Sequence, residues 1–162
     1  MTWFRRWQQQ DQPPPQLGPD AEDRPDELLR KLHELIGFIN SNAGRLPVEA
    51  VVAARRVTDT VREIIDTADG DQLDIYAVIS VKGIMNDYLP TTLRTYLALD
   101  PEIVHVKRPS GRTPAESLLE QVNALWLGAA DVLAAAHAKD ADELVSQGNF
   151  LRTKFTGSDL DL

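Results

Sequence analysis

The sequence predicts an all-α protein that folds as a single-domain bundle of about five helices. With 162 residues, the chain is long enough for one domain that buries about two-thirds of the surface of the unfolded chain. The composition is 43% hydrophobic but only 6% aromatic, which favours helices over a β-sandwich. Apolar residues recur every three or four positions along most of the chain, and this is the period of a helix with one buried face.

Charge and composition exclude several classes of protein. The formal net charge is −8, whereas nucleic-acid binding needs clustered Lys and Arg for phosphate contacts. The chain has no cysteine, so disulfides, zinc–thiolate sites and thiol catalysis are excluded. No apolar run approaches the ~18 residues of a membrane span, and no signal-peptide core is present. We therefore expect a cytoplasmic protein that uses no cofactor and binds no nucleic acid.

Residues 1–25 are predicted to form a flexible N-terminal segment in two parts. The tip combines large aromatic side chains with two arginines: Trp3, Phe4, Arg5, Arg6 and Trp7. A proline-rich, acidic stretch follows, and its three consecutive prolines favour an extended backbone. The helical bundle is expected over residues 26–156, and residues 157–162 are expected to be a frayed polar tail.

The first two helices are predicted at about residues 26–42 and 47–68. Leu28, Leu32 and Ile39 belong to a continuous apolar stripe in the first helix. Acidic residues after Pro25 suit the positive end of its dipole, and a glycine shortly after Asn42 is a stop signal. A stripe of valines, isoleucines and alanines with the same period indicates the second helix.

The third element starts near Leu73 and contains a proline within a helical pattern. The segment Ile75–Val81 is β-branched enough for a strand, but nothing else in the chain could pair with a single strand, so a helix is predicted. Pro90 has no N–H to donate to the carbonyl of Asn86. Either one helix kinks here, or one helix stops near Asp87 and another begins with Pro90 in its first turn.

A loop over residues 99–112 separates this element from a final pair of predicted helices. Thr113 and Glu116 form a capping-box pattern with a proline in the first turn, a strong helix start. The first helix of the pair carries nearly three heptads of one apolar face. Asp140 or Asp142 is expected to cap the second, whose face is Leu144, Gly148, Leu151 and Phe155.

The segment around Pro90 resembles the XpaC family, also called the 5-bromo-4-chloroindolyl phosphate hydrolysis proteins. The residues that carry the resemblance are Tyr88, Leu89, Pro90, Thr91, Thr92, Leu93 and Tyr96. The order of elements after them, to about Phe155, is also similar. The family name implies hydrolysis of a phosphoric ester, but it records a staining phenotype, and the resemblance brings no catalytic residues with it. Structurally we expect Tyr88, Leu89, Pro90, Leu93 and Tyr96 to form a pivot in the fold.

The aromatic tip is the first candidate site for a partner. Trp3 and Trp7 are four residues apart, so a helix would place both rings on one face beside Arg5 and Arg6. Such a face suits a partner groove or an anionic membrane surface. The alternative, weighed equally, is that this end folds back onto the protein's own core.

A basic loop is the second candidate site. Lys107, Arg108, Arg112 and Thr113 form the densest basic patch in an acidic chain. The patch ends at a helix N-terminus, where backbone N–H groups favour an anion such as phosphate. The alternative is an ordinary solvated loop before a helix cap.

Catalytic patterns are lacking in the sequence. His33, His105 and His137 are far apart and have no metal-ligand spacing, and no serine has a glycine elbow. We therefore expect a small non-enzymatic interaction or adaptor protein of the XpaC-like type, which binds an unidentified protein partner through its aromatic and basic N-terminus. The alternatives are a phosphoric-ester hydrolase and a peripheral membrane protein.

Overall fold

The computed structural model describes residues 20–70 and 72–158. Its main elements are α1 (Pro25–Asn42), α2 (Val48–Asp66), α3 (Ile75–Gly83), a π-helical segment (Ile84–Tyr88), α4 (Leu89–Leu97) and α5 (Pro114–Ser158). Within the described residues there is no strand, and an isolated bridge joins Asp69 to Gln72. The prediction of a single-domain all-α protein is confirmed.

The core lies between α2 and the helices that surround it, since α2 contacts α1, α3 and α5. The predicted stripe of α1 is buried at Leu28, Leu32 and Ile39, and α2 contributes the same kind of face. Small residues on α2, such as Ala50 and Ala54, are fully buried and allow neighbouring helices to approach closely. The predicted stripes of these two helices therefore form the centre of the bundle.

The third element is a helix and not a strand, as predicted, and it starts at a side-chain cap. Asp74 accepts hydrogen bonds from the backbone N–H groups of Tyr76 at 3.1 Å and Ala77 at 3.4 Å. A carboxylate at this position satisfies donors that have no partner within the helix.

Pro90 lies in the first turn of α4, which follows the π-helical segment without a non-helical residue between them. The backbone is right-handed helical at Gly83, Ile84, Tyr88 and Leu89. The N–H of Leu89 reaches back five residues to the carbonyl of Ile84, which is the hydrogen bond of a π-turn. As in the second alternative, Pro90 lies in the first turn of a helix that begins at Leu89, but the backbone does not leave helical geometry before that helix. Pro90 has no N–H and cannot donate a backbone hydrogen bond. The π-turn immediately before it accommodates this missing bond within the helix.

The pivot residues are divided between the core and the surface. Leu89, Pro90, Leu93 and Tyr96 are buried, which agrees with the predicted helical phase. Tyr88 is 57% exposed. The four buried residues tie this run to the core.

The final pair of predicted helices is a single helix, so the break expected at Asp140 or Asp142 is wrong. Helix α5 has 45 residues and is about 68 Å long, whereas α1 with 18 residues is about 27 Å long. An aspartate caps a helix only where the chain leaves helical geometry. No glycine or proline stands between Val132 and Gln147 to cause that, and alanine-rich sequence favours continuation.

The loop before α5 is attached to the helix that it precedes. The backbone N–H of Ala115 donates to the carbonyl of Val104 at 3.2 Å, and Val104 is buried. Gly111 has a φ of 82°, a left-handed conformation that a glycine adopts without strain. The start of α5 is thereby held against the bundle.

Candidate interaction surface

Helix α5 extends beyond the bundle, and its second half has no cover within the described residues. Every residue from His137 to Asn149 is exposed. Leu144 is 71% exposed and Val145 is 61% exposed. We call residues 137–158 the α5 projection. Its exposed leucine and valine make it a candidate surface for a partner.

The apolar stripe of the projection is in phase with a stripe that the bundle half of α5 packs against the core. Trp126 and Leu133 belong to that packed stripe, and the guanidinium of Arg56 on α2 lies 5.1 Å from the centre of the Trp126 ring. Leu144 follows Trp126 by about five turns and Leu133 by about three turns. The same face of α5 therefore continues past the point where the bundle stops covering it.

The covering elements end where the projection begins. Helix α2 ends at Asp66, and Thr67 and Asp69, which follow it, lie with Ala136 and Lys139 around one cleft of about 670 Å³. The start of α3 lines the other side of this cleft, which we call the fork. Beyond the fork, no other described helix packs against α5.

An ion pair at the fork joins α5 to the start of α3. The Lys139 ammonium donates to the carboxylate of Asp74 at 3.1 Å, while the other oxygen of Asp74 caps α3. The hydrogen bond from Lys139 lowers the pKa of Asp74 below its ordinary value, and the same contact raises the pKa of Lys139. One carboxylate thus links the start of α3 to the base of the projection.

A second exposed apolar face lies on α3 beside the fork. Ile75 is 60% exposed, Tyr76 is 78% exposed and Ile79 is 63% exposed. These residues are one turn or less apart, so their side chains share one side of the helix. Tyr76 also lines the fork. Two apolar surfaces, one on α3 and one on the projection, therefore flank the same cleft.

The aromatic tip predicted as a docking element, Trp3 to Trp7 with Arg5 and Arg6, lies outside the described residues. The structure describes the chain from Asp20, which is followed by a short 3-10 turn, Ala21–Asp23. Asp23 in this turn accepts a hydrogen bond from Lys82 at 2.7 Å, near the end of α3. The first described residues are thereby attached to the α3 side of the bundle.

The predicted anion-binding residues include three cations of an exposed loop, and these cations have different surroundings. Lys107 and Arg108 are exposed, and Arg112 forms an ion pair with Glu120. The predicted capping box is confirmed: the Thr113 N–H donates to the Glu116 carboxylate at 3.0 Å, and the Glu116 N–H donates to the Thr113 hydroxyl at 3.1 Å. Two donors at this helix start are therefore already satisfied, and anion binding here stays a prediction.

No metal centre assembles within residues 20–70 and 72–158, where no three His, Asp or Glu side chains are grouped as ligands. His33 lies 3.3 Å from the guanidinium of Arg62, and His105 and His137 are exposed. Across the same residues, no helix is both long enough and apolar enough to span a bilayer.

The exposed surfaces on α3 and on the projection were not predicted from the sequence. The phase relation between Trp126 and Leu144 was readable in the sequence as one stripe, but it was divided between two expected helices. The exposed face of α3 carried no signal, because isoleucine and tyrosine in a helix usually indicate core. The Asp74–Lys139 pair joins residues far apart in the chain, and nothing in either segment predicts it.

No family model, curated protein or solved structure matches this chain. The resemblance to the XpaC family stays a prediction.

Proposed function

We propose that this protein is a non-enzymatic helical interaction module of the XpaC-like type, and that the α5 projection is its main docking element. The observation that carries the proposal is the uninterrupted exposure from His137 to Asn149 on a helix that the bundle covers only as far as the fork. A partner that packs along the projection would cover the apolar stripe that now faces water.

The physical argument concerns the cost of an isolated helix. A helix of about 20 residues without tertiary contacts is marginally stable in water. The outer part of the projection contains Ser146, Gly148 and Asn149, which are weak helix formers. Burial of a leucine or valine side chain contributes about 1.5–3 kcal/mol. Packing against a partner would therefore stabilise both the helix and the complex.

The aromatic N-terminal tip is proposed as a second docking element. The large aromatic side chains of Trp3, Phe4 and Trp7 suit binding in an apolar groove of a partner. The described chain begins at the α3 side of the bundle, where Asp23 contacts Lys82. An anionic membrane surface is the alternative target of the tip.

The hydrolase alternative receives no support from the described side chains. The fork encloses about 670 Å³, and the charged groups around it are the paired lysine and aspartate together with Asp69, Asp140 and Glu143. Hydrolysis of a phosphoric ester needs a nucleophile or an activated water together with cations that stabilise the developing charge. The Asp74–Lys139 pair already has a structural role at the helix cap.

The test compares two leucines on the same helix. Leu144→Glu places a charge on the stripe of the projection, whereas Leu127→Glu changes a leucine that is also exposed, at 57%, but lies beside the bundle. Each tagged full-length variant is used to isolate bound proteins from the native host. We expect Leu144→Glu to lose a partner that the wild type and Leu127→Glu retain, while the melting temperatures of the three proteins in dilute solution stay equal. Recovery of the same partners by both variants would show that the projection is not the docking element.

A further inference from the structure

We propose that the partner of the α5 projection is a second copy of this chain, and that two projections pack antiparallel across a two-fold axis near Ser146. This inference rests on the proposed function and names the partner. The observations that carry it are the apolar stripe, the alternation of large and small residues along it, and the order of charges beside it.

The stripe has the spacing of a two-helix seam. Its positions are separated alternately by four and three residues: His137, Ala141, Leu144, Gly148, Leu151 and Phe155. This is the a/d pattern of a coiled coil. It runs through almost the whole projection, which is about 33 Å long.

Residue size favours an antiparallel arrangement. About an axis at Ser146, Leu144 opposes Gly148 of the second copy, and position 151, a leucine, opposes Ala141. The four central layers then combine a larger residue with a smaller one, which fills the middle of the seam evenly, while His137 opposes position 155, a phenylalanine, at the two ends. In a parallel pair, Gly148 would face Gly148 and leave a gap, while the larger residues would meet each other.

Gly148 is not in close contact with another element among the described residues. A Cβ atom at this position would meet nothing within 4 Å, and a glycine within a helix costs about 1 kcal/mol relative to alanine. Gly37 and Gly128 are also open in this way, so openness alone does not distinguish Gly148. What distinguishes Gly148 is its position on the stripe, where it lies opposite a leucine in the antiparallel pair.

The charged residues beside the stripe also favour the antiparallel arrangement. Asp140 and position 154, a lysine, lie two heptads apart and therefore on the same flank of the stripe. In the antiparallel pair, position 140 of each copy lies beside position 154 of the other, so the two-fold axis twice brings together positions that carry opposite charges. A parallel pair in register brings neither contact together. Asp140 is exposed and is free to turn toward a second copy.

The first experiment measures the mass of the full-length chain by light scattering over a range of concentrations. We expect a concentration-dependent dimer that Leu144→Glu abolishes and Leu127→Glu leaves intact. Asp140→Lys and Lys154→Asp should each raise the dissociation constant about tenfold, and their combination should restore it. Asp142→Lys is the matched control, because position 142 lies on the outer side of the same turn, and its effect should stay below about twofold.

The second experiment measures direction. Because the chain has no cysteine, Asp131→Cys introduces one exposed labelling site within the bundle half of α5. Spin labels there should lie about 45 Å apart in the antiparallel dimer, and at little more than the width of two helices in a parallel one. The short distance would overturn the antiparallel arrangement.

Two further results would overturn the inference. One is a full-length chain that stays monomeric while deletion of residues 1–19 produces a dimer, which would assign the stripe to the N-terminal segment of the same chain. The other is a dimer that Leu144→Glu leaves unchanged. A monomeric chain from which Leu144→Glu removes a different bound protein would reject the second copy as partner but retain the proposed function.

Discussion

The two halves of α5 belong to one helix but meet different surroundings. In the bundle half, Leu118 is 3% exposed and Val122 is fully buried. In the projection, Leu144 is 71% exposed although it continues the face of Trp126. The local sequence is helical in both halves, yet among the described residues other helices pack only against the first half. The period of apolar residues therefore shows which side of a helix is apolar. How far that side is buried depends on the lengths of the helices that pack against it.

Two leucines on opposite sides of the fork give the sharpest test of this comparison. Leu118→Ala should lower the free energy of unfolding by about 2–5 kcal/mol, because it leaves a cavity in the core. Leu144→Ala, measured in dilute solution, should change it by no more than about 0.5 kcal/mol, because an exposed side chain leaves no cavity. Chemical denaturation of both variants provides the measurement. Similar losses in the two variants would mean that the projection packs onto its own bundle.

The carboxylate that joins the two regions should have a smaller effect. Asp74→Ala removes the cap of α3 and the contact with Lys139, so we expect a loss of about 0.5–2 kcal/mol. Asp74→Asn keeps an acceptor for the cap and removes the charge, so its loss should be the smaller of the two. Denaturation curves of both variants separate the cap from the ion pair. Equal losses would show that the charge, and not the cap, is what α3 requires.

The smallest effect expected is the pH dependence of the Asp74–Lys139 pair. The pKa of Asp74 is lowered in the folded protein, so its stabilising contribution is present above the ordinary value of 3.8 and is lost as the pH falls through the lowered value. The pKa of Lys139 is raised, so its contribution is lost only as the pH rises above 10.5.

Comparison of wild type with Asp74→Asn therefore sharpens the prediction. The stability difference between them should be constant from about pH 5 to pH 9 and should shrink in more acidic solution. Because both side chains are partly exposed, added salt should reduce the difference at neutral pH. A difference that grows toward acid pH would contradict the assigned direction of the shift.

Much of the fold was readable from local patterns. The start of α1 at Pro25 with acidic residues in its first turn, the stripes of α1 and α2, and the capping box at Thr113 and Glu116 all depend on residues within one or two turns of each other. The burial of Leu89 and Leu93 followed from the same period. Such features are predictable because hydrogen bonding and side-chain phase within a helix are local properties.

The features that failed or were missed depend on what lies nearby in space. Asp140 and Asp142 looked like caps in the sequence, but no helix breaker stands near them and the helix continues. The contacts of Lys139 with Asp74 and of Lys82 with Asp23 join residues that are far apart in the sequence. The residues next to each partner in the sequence do not predict these contacts.

The sequence by itself determined that this protein is all-α, which faces of its helices are apolar and that an aromatic segment precedes the bundle. The tertiary structure alone decided that α5 outruns α2, that its stripe emerges uncovered at the fork, and that Ile75, Tyr76 and Ile79 face outward. The physical reason is that an apolar face is a property of one helix, whereas burial is a property of at least two. The sequence of one helix shows which of its faces is apolar. Whether that face is buried depends on how the whole chain packs.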